Sequence, residues 1–161
     1  MHTTGNDKNR VTALIGVTAS NELLPLFTVL KGKKIPREVQ ALEDGDLFVV
    51  SNSSAWITEE TFMIWIQKIW RPHASQSPRS LLILDRFRVH MKQSVLNQFN
   101  DLNTDVLFVP PGLTFYVQPC DVYINKGLKE RVRMSWVEFM ASQITETTPG
   151  NLFSLLFICY S

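Results

Sequence analysis

Residues 81 to 85 form the segment that most restricts how this chain can fold. Consecutive aliphatic residues from Leu81 to Leu84 lead directly into the carboxylate of Asp85. Such a continuous apolar run is typical of a central strand covered on both faces, whereas a half-exposed strand alternates apolar with polar residues. The sequence therefore predicts a buried central strand that places Asp85 at its carboxyl end.

The segment that follows Asp85 predicts a strand–helix–strand unit. Apolar residues recur at helical spacing from about residue 90 to residue 100, and residues 106–110 form another short apolar strand. The two strands should be parallel, with a right-handed crossover between them. Ligands of open α/β sheets bind just outside the carboxyl ends of such strands, which is where Asp85 is expected.

A second carboxylate, Asp121, follows a proline-rich loop and opens a helix predicted to run to about Gln143. This chain path can bring Asp85 and Asp121 to the same edge of the sheet. Two close carboxylates repel unless a cation neutralises them, and Mg²⁺ prefers one or two carboxylates with water and phosphate oxygens. Without a ligand, Asp85 is equally explained as a loop cap and Asp121 as a helix N-cap.

The N-terminal half predicts a hairpin followed by a strand and a helix. Strands are expected over residues 11–19, 24–31 and 47–51, with the first two antiparallel. Thr58 is expected to cap a helix by accepting from the backbone N–H of Glu60 or Thr61, and Pro72 is expected to end that helix.

The charge of the chain limits how it can meet a polyanion. The net charge is +1 and charged residues make up 19% of the sequence, so any nucleic-acid contact must come from local patches. The loop after the second strand is the first candidate phosphate contact, and a solvated surface loop explains it as well. Its basic residues are Lys31, Lys33, Lys34 and Arg37.

Length and composition predict a single intracellular domain. The 161 residues contain 45% hydrophobic residues, enough for one ordinary core. Cys120 and Cys159 give neither a metal-binding spacing nor a disulfide framework, which favours a reducing compartment. The polar N-terminus carries no targeting segment, and the apolar run at residues 152–160 is shorter than the ~20 residues of a membrane span.

Three strings carry a resemblance to a known family. They are LLILDRFRVH at residues 81–90, VPPGLT at residues 109–114 and QPCD at residues 118–121. In this order, with KNRVT at residues 8–12 and the helix entry at Trp56, they resemble the DDE-type transposase core of the pogo and Tigger elements. The resemblance runs from about Thr3 to Ser142. It implies an α/β fold of RNase H-like type, with a mixed sheet flanked by helices.

The same resemblance implies a function and a set of site residues. Such domains perform metal-dependent DNA cleavage and strand transfer with Mg²⁺ or Mn²⁺, and their domesticated relatives are nuclear proteins. Asp85 matches the second catalytic acid of the family and Asp121 matches the third. Four further positions match residues that support the site: His90 beside the second acid, Thr114 in the loop, and Gln118 and Pro119 in the turn that aims Asp121.

Departures from the family pattern concern the same site. Arg86 stands where the family often has Asn, and its cation could touch phosphate or weaken a neighbouring metal. Cys120 stands where leucine is usual. The family's first acid lies on a strand upstream of the motif at residues 8–12, and no acid of this chain matches it; the acids considered are Asp7, Asp44 and Asp46.

Two readings of function therefore stand beside each other. The first is a nuclease domain, expected over residues 3–145 and lacking its first strand, with an unmatched tail at residues 146–161. The second is a domesticated module that binds nucleic acid or another protein without chemistry. An unrelated small α/β binding domain would require the ordered motifs to be coincidence. The sequence indicates neither the DNA target nor the oligomeric state, and a homo-oligomer is compatible with it.

The missing strand predicts low stability and no strand cleavage. A central strand that buries three large apolar side chains contributes roughly 5–9 kcal/mol, whereas whole domains are stable by only ~5–15 kcal/mol. We therefore expect this chain to be marginal or unfolded alone and inactive. A cooperative urea transition with high stability, or Mg²⁺-dependent nicking lost in Asp85→Ala, would contradict this expectation.

Overall fold

Two sheets share one hydrophobic core in the computed structural model, which describes residues 10–42, 44–110, 112, 124–145 and 156–157. The strands are β1 (Arg10–Leu14), β2 (Leu26–Lys31), β3 (Leu47–Asn52), β4 (Ser80–Leu84), β5 (Thr104–Phe108) and β6 (Leu156–Phe157). The first sheet has the order β3–β2–β1–β6 and the second pairs β4 with β5. The predicted class, mixed α/β of RNase H-like type with helices against the strands, is confirmed.

The predicted hairpin is present but its first strand is shorter than expected. β1 and β2 are antiparallel, with Val11 opposite Leu30, and β3 pairs parallel with β2. Beyond Leu14 the pairing continues only as an isolated bridge between Val17 and Leu23. In the turn beyond this bridge, the hydroxyl of Thr18 accepts a hydrogen bond from the backbone N–H of Glu22 at 3.0 Å.

The strand–helix–strand unit is confirmed, but β4 is not covered on both faces. β4 and β5 are parallel and helix α4 (Gln93–Asp101) connects them. Leu82 and Leu84 pack towards the core, whereas Leu81 is 60% exposed and Ile83 is 48% exposed. The prediction of a fully covered strand was therefore wrong. Among the described residues, no second layer covers this face of the two-stranded sheet, and an apolar run cannot reveal that by itself.

A helical run from Glu59 to Ala74 consists of α2 (Glu59–Trp65), a π-helical turn (Ile66–Trp70) and α3 (Arg71–Ala74). Thr58 caps it as predicted, with Thr61 completing a capping box.

The prediction that Pro72 ends this helix was wrong, because the helix continues to Ala74. The π-helical turn explains the difference, since the N–H of Arg71 bonds to the carbonyl of Ile66, five residues earlier. Pro72 then lies in the first turn of α3, where a missing N–H costs little.

Aromatic side chains of this helical run build the centre of the core. Phe62 stacks with Trp65 at a centroid distance of 5.3 Å, and Trp70 meets Phe99 of α4 edge-on at 6.4 Å. Phe27 of β2 is fully buried in the same cluster. These contacts hold the first sheet and both helical segments around one interior, as the helical spacing of the aromatics predicts.

The remaining helices add no buried residue among the positions whose exposure the structure describes. α1 (Arg37–Gln40) is short and has no buried residue. The long helix α5 (Asn125–Thr145) confirms the predicted helix after Asp121, but none of its positions with a described exposure is buried. β6 pairs in parallel with β1 and lies within the segment predicted as a tail. Within the described residues, no helix has both the length and the apolar character needed to cross a bilayer.

Thr104→Val tests the polar tie between the helical run and β5. The indole N–H of Trp70 donates to the Thr104 hydroxyl at 3.0 Å in the buried interior. Removing the acceptor leaves a buried donor unsatisfied, which costs about 1–3 kcal/mol. We expect this loss in urea denaturation of Thr104→Val. Thr104→Ser keeps the hydroxyl and should stay closer to wild type; a Val variant as stable as the Ser variant would contradict the role of this bond.

Candidate functional site

Asp85 is the first residue after β4, and its side chain is held in a short turn. Its Oδ1 accepts a hydrogen bond from the backbone N–H of Phe87 at 3.2 Å. The same oxygen lies 2.7 Å from Nδ1 of His90, and the two side chains are 14% and 11% exposed. The structure therefore places His90 beside the strand-end carboxylate, as the family pattern implies.

The protonation of His90 Nδ1 follows from its neighbours. This nitrogen lies near both Oδ1 and the backbone carbonyl of Asp85, the latter at 3.3 Å. An ionised carboxylate and a carbonyl can only accept hydrogen bonds. Nδ1 must therefore carry a hydrogen in either the neutral or the charged ring, and it donates to Asp85.

Aromatic rings fix the imidazole in this position. The ring of Phe62 lies 4.5 Å from the His90 ring, and the ring of Phe87 lies 5.5 Å away, edge-on. The backbone N–H of His90 also donates to the carbonyl of Phe87 at 2.9 Å, which closes the turn. The donor for Asp85 is thus held by the same packing that forms the core.

Opposing effects act on the acidity of Asp85. Burial raises the pKa of this carboxyl and is the largest single influence, but the hydrogen bond and charge of His90 and the Phe87 N–H together lower the pKa below its ordinary value. Asp85 is therefore ionised at neutral pH. Its Oδ2 has no partner among the described residues, which makes it the oxygen available to a cation.

Around Asp85 the loop alternates inward and outward side chains. Asp85 and Phe87 are half-buried, whereas Arg86 and Arg88 are exposed. The sequence interpretation named Arg86 but missed Arg88. The signal was present in the alternation Asp-Arg-Phe-Arg of residues 85–88, which places both arginines on the solvent side once Phe87 packs inward.

The other predicted site residues are located as follows. Lys31 is the last residue of β2, Lys33 and Lys34 are exposed in the loop after it, and Arg37 is exposed at the start of α1. Four predicted residues lie outside the described part of the chain, so their pairing with Asp85 stays a prediction: Asp121, Thr114, Gln118 and Pro119.

Acids that could complete a metal site are not gathered in the described residues. No group of three or more His, Cys, Asp or Glu side chains able to hold a metal ion occurs within residues 10–42, 44–110 and 124–145. Asp44 and Asp46 lie exposed in the loop before β3, where the carboxylate of Asp44 accepts the N–H of Asp46 at 3.1 Å. Asp7 lies outside the described residues.

An ion pair that sequence reasoning missed secures the helix after the site loop. Glu59 accepts from Lys92 Nζ at 2.6 Å and from the Ser94 hydroxyl, so it joins the start of α2 to the start of α4. The hydrogen bond from Lys92 holds the pKa of Glu59 below its ordinary value. This contact fixes the segment that directly follows His90.

Comparison with known proteins identifies relatives of nearly the whole chain. Residues 8–157 match the family described as DDE superfamily endonuclease, so the match extends into the segment predicted as a tail. The chain is 32% identical over 152 residues to a "Pogo transposable element with KRAB domain" of Mus musculus, covering 92% of this chain and 24% of that protein. The relative with the same name in Homo sapiens is also 32% identical over 152 residues, with the same coverage.

A fungal relative is similar at comparable identity. The "CENP-B homolog protein 2" of Schizosaccharomyces pombe is 30% identical over 145 residues, covering 86% of this chain and 28% of that protein. The chain thus spans about a quarter of the length of these relatives. No solved structure matches it.

The acidity of Asp85 provides a direct test of its contact with His90. We expect an NMR titration of the Asp85 carboxyl to have its midpoint below 3.8. In His90→Leu the midpoint should rise, because the donor is lost while burial remains. The folded pKa is lowered, so this contact stabilises the protein above the unfolded pKa, and its stabilisation is lost as the pH falls through the folded value.

Asp105 serves as an internal control in the same titration. Its hydrogen bond to Arg79 lowers its pKa independently of His90, so its midpoint should not change in His90→Leu. An unchanged Asp85 midpoint, or equal changes at both carboxyls, would show that His90 does not set the acidity of Asp85.

Proposed function

We propose, since this chain belongs to the DDE superfamily endonucleases and is related to pogo transposable elements, that Asp85 and Asp121 are ligands of a divalent metal. The site descends from metal-dependent DNA cleavage and strand transfer. The observation that carries this proposal is the carboxylate of Asp85, which is kept ionised at the end of β4 with one oxygen bound internally. An ionised carboxylate at a strand end can bind a metal ion through an oxygen that no described residue binds.

The donor set fits a hard cation. Mg²⁺ and Mn²⁺ bind carboxylate oxygens and keep several waters, so Asp85 and Asp121 would hold the ion without a closed protein cage. When bound, such an ion activates a water or a 3′-hydroxyl and stabilises the leaving oxygen. His90 would act as a positioning residue, because its donation to Oδ1 holds the carboxylate in one orientation. Thr114, Gln118 and Pro119 are proposed to position Asp121.

We further propose that this chain does not cleave DNA. Asp44 and Asp46, the described acids considered as replacements for the family's first acid, lie in an exposed loop. Arg86 places a cation directly after Asp85, where repulsion disfavours a metal ion.

The outer edge of β4 carries backbone groups that β5 does not use. Ser80 N–H bonds to the Asn103 carbonyl at 3.1 Å, and Val109 N–H bonds to the Leu84 carbonyl at 2.8 Å. Alternate residues of β4 therefore bond to β5, so the backbone groups of Leu81 and Ile83 face the other edge. Among the described residues no strand pairs there. A strand bearing the family's first acid would pair along this edge and end beside Asp85.

The alternative function is a module that binds DNA or a protein without chemistry. Arg86 and the exposed lysines of the loop at residues 31–37 favour binding to phosphate. Relatives named "ARS-binding protein 1" and "CENP-B homolog protein 2" agree with DNA as the partner, and with a nuclear location. The two functions differ in one property, because only the nuclease-derived site needs a metal ion.

Calorimetry with Mn²⁺ distinguishes the two functions. We expect the full chain to bind Mn²⁺. Asp85→Asn and Asp121→Asn should each weaken this binding by about tenfold to a hundredfold or more, because the loss of even a residue that only orients a metal ligand has an effect of that size. Asp105→Asn removes an exposed carboxylate of β5 and should leave binding unchanged. Circular dichroism checks that each variant is folded.

Plasmid nicking tests the absence of cleavage. We expect no nicking of supercoiled DNA with Mg²⁺ or Mn²⁺. If the chain nicks DNA and Asp85→Ala abolishes the nicking, the proposal that the chain is inactive is refuted. If Asp85→Asn leaves Mn²⁺ binding intact in calorimetry, the non-catalytic module is favoured.

A further inference from the structure

Two arginines project from the turn that holds Asp85. Arg86 and Arg88 are exposed, while Phe87 between them packs inward against His90. The turn is fixed by two hydrogen bonds, from the Phe87 N–H to Asp85 Oδ1 at 3.2 Å and from the His90 N–H to the Phe87 carbonyl at 2.9 Å. The backbone therefore presents both guanidinium groups from one ordered loop, which lowers the entropy cost of binding a ligand.

Cations elsewhere in the same α/β unit already have partners. Arg79 bonds to Asp105 at 2.6 Å and Lys92 bonds to Glu59 at 2.6 Å. By contrast, Arg86 and Arg88 make no hydrogen bond or ion pair with another residue of the described ranges. Among the described residues, nothing therefore neutralises these two charges through a hydrogen bond or an ion pair.

The local charge favours an anion in spite of Asp85. The carboxylate of Asp85 carries one negative charge, and its Oδ1 is already bound to His90. Two arginine charges exceed it, so the loop at residues 85–88 is positive overall even though the chain as a whole is close to neutral. The planar guanidinium group binds phosphate oxygens with two parallel hydrogen bonds, which a solvated lysine cannot do.

We propose that Arg86 and Arg88 form a phosphate-binding pair that holds the DNA backbone across the end of β4, beside Asp85. This inference rests on the proposed function, because it takes DNA as the partner of the domain. It assigns the cation of Arg86 to phosphate contact, and it adds Arg88, which the family resemblance does not mark. The pair binds backbone and reads no base sequence.

The salt dependence of DNA binding tests the pair. Fluorescence anisotropy with a labelled DNA duplex is measured between about 50 and 200 mM salt for the full chain and for Arg86→Gln, Arg88→Gln and the double variant. Each lost phosphate contact should reduce the slope of log K against log salt by about 0.9, so the double variant should lose about 1.8. At low salt each substitution should weaken binding about tenfold.

Arg79→Gln is the matched control. It removes the same charge from an exposed arginine, but this arginine precedes β4 and is already bonded to Asp105. With a rise of about 3.3 Å per residue along β4, it lies far from the proposed contact. Its slope should equal that of the wild-type chain. Circular dichroism confirms that all variants fold, as expected for exposed positions.

Each outcome decides between the inference and its rivals. A double variant with the wild-type slope and affinity would refute the proposed phosphate contact. An equal loss of slope in Arg79→Gln would also refute it, because DNA binding would then respond to net charge alone. Tighter Mn²⁺ binding by Arg86→Gln with unchanged DNA binding would assign Arg86 to the metal site instead. A wild-type chain that binds no DNA would refute DNA as partner, whereas Mn²⁺ calorimetry tests the metal ligands independently.

Discussion

The 2.7 Å contact between His90 Nδ1 and Asp85 Oδ1 joins the candidate site to the hydrophobic core. The imidazole packs against Phe62, and Phe62 in turn contacts Trp65 and Phe99. Burial alone would raise the pKa of a carboxyl at this place and favour its neutral form. The aromatic core therefore helps to keep the pKa of this carboxyl low, because it holds the donor in position. We expect substitutions that loosen this core to displace His90 and thereby to alter its contact with Asp85.

Burial of the core that holds His90 contributes a free energy comparable with the margin by which whole domains are stable. Phe27, Phe62 and Phe99 are fully buried, and each contributes about 1.5–3 kcal/mol on burial. They come from β2, α2 and α4, so one cluster connects the first sheet to the strand–helix–strand unit. His90, which holds Asp85, packs against this cluster through Phe62.

Local features of the fold could be predicted from sequence, and features that depend on neighbours could not. The cap at Thr58 and the parallel pairing of β4 with β5 follow from residue types and their periodicity, which are short-range properties. The continuation of the helix through Pro72 depends on a π-helical turn, and no residue pattern marks that turn. The exposure of Leu81 and Ile83 depends on what lies across the sheet, since apolar residues are compatible with either environment.

The site divides in the same way. Asp85 and His90 could be named because their surrounding strings resemble those of a family, but their mutual geometry is a product of the turn at residues 85–90. That turn has two functions. Its inward residues bind and orient one oxygen of Asp85, and its outward residues, Arg86 and Arg88, present positive charge to solvent. The same short turn can therefore orient a carboxylate for the proposed metal ion on its inward side and offer positive charge to phosphate on its outward side.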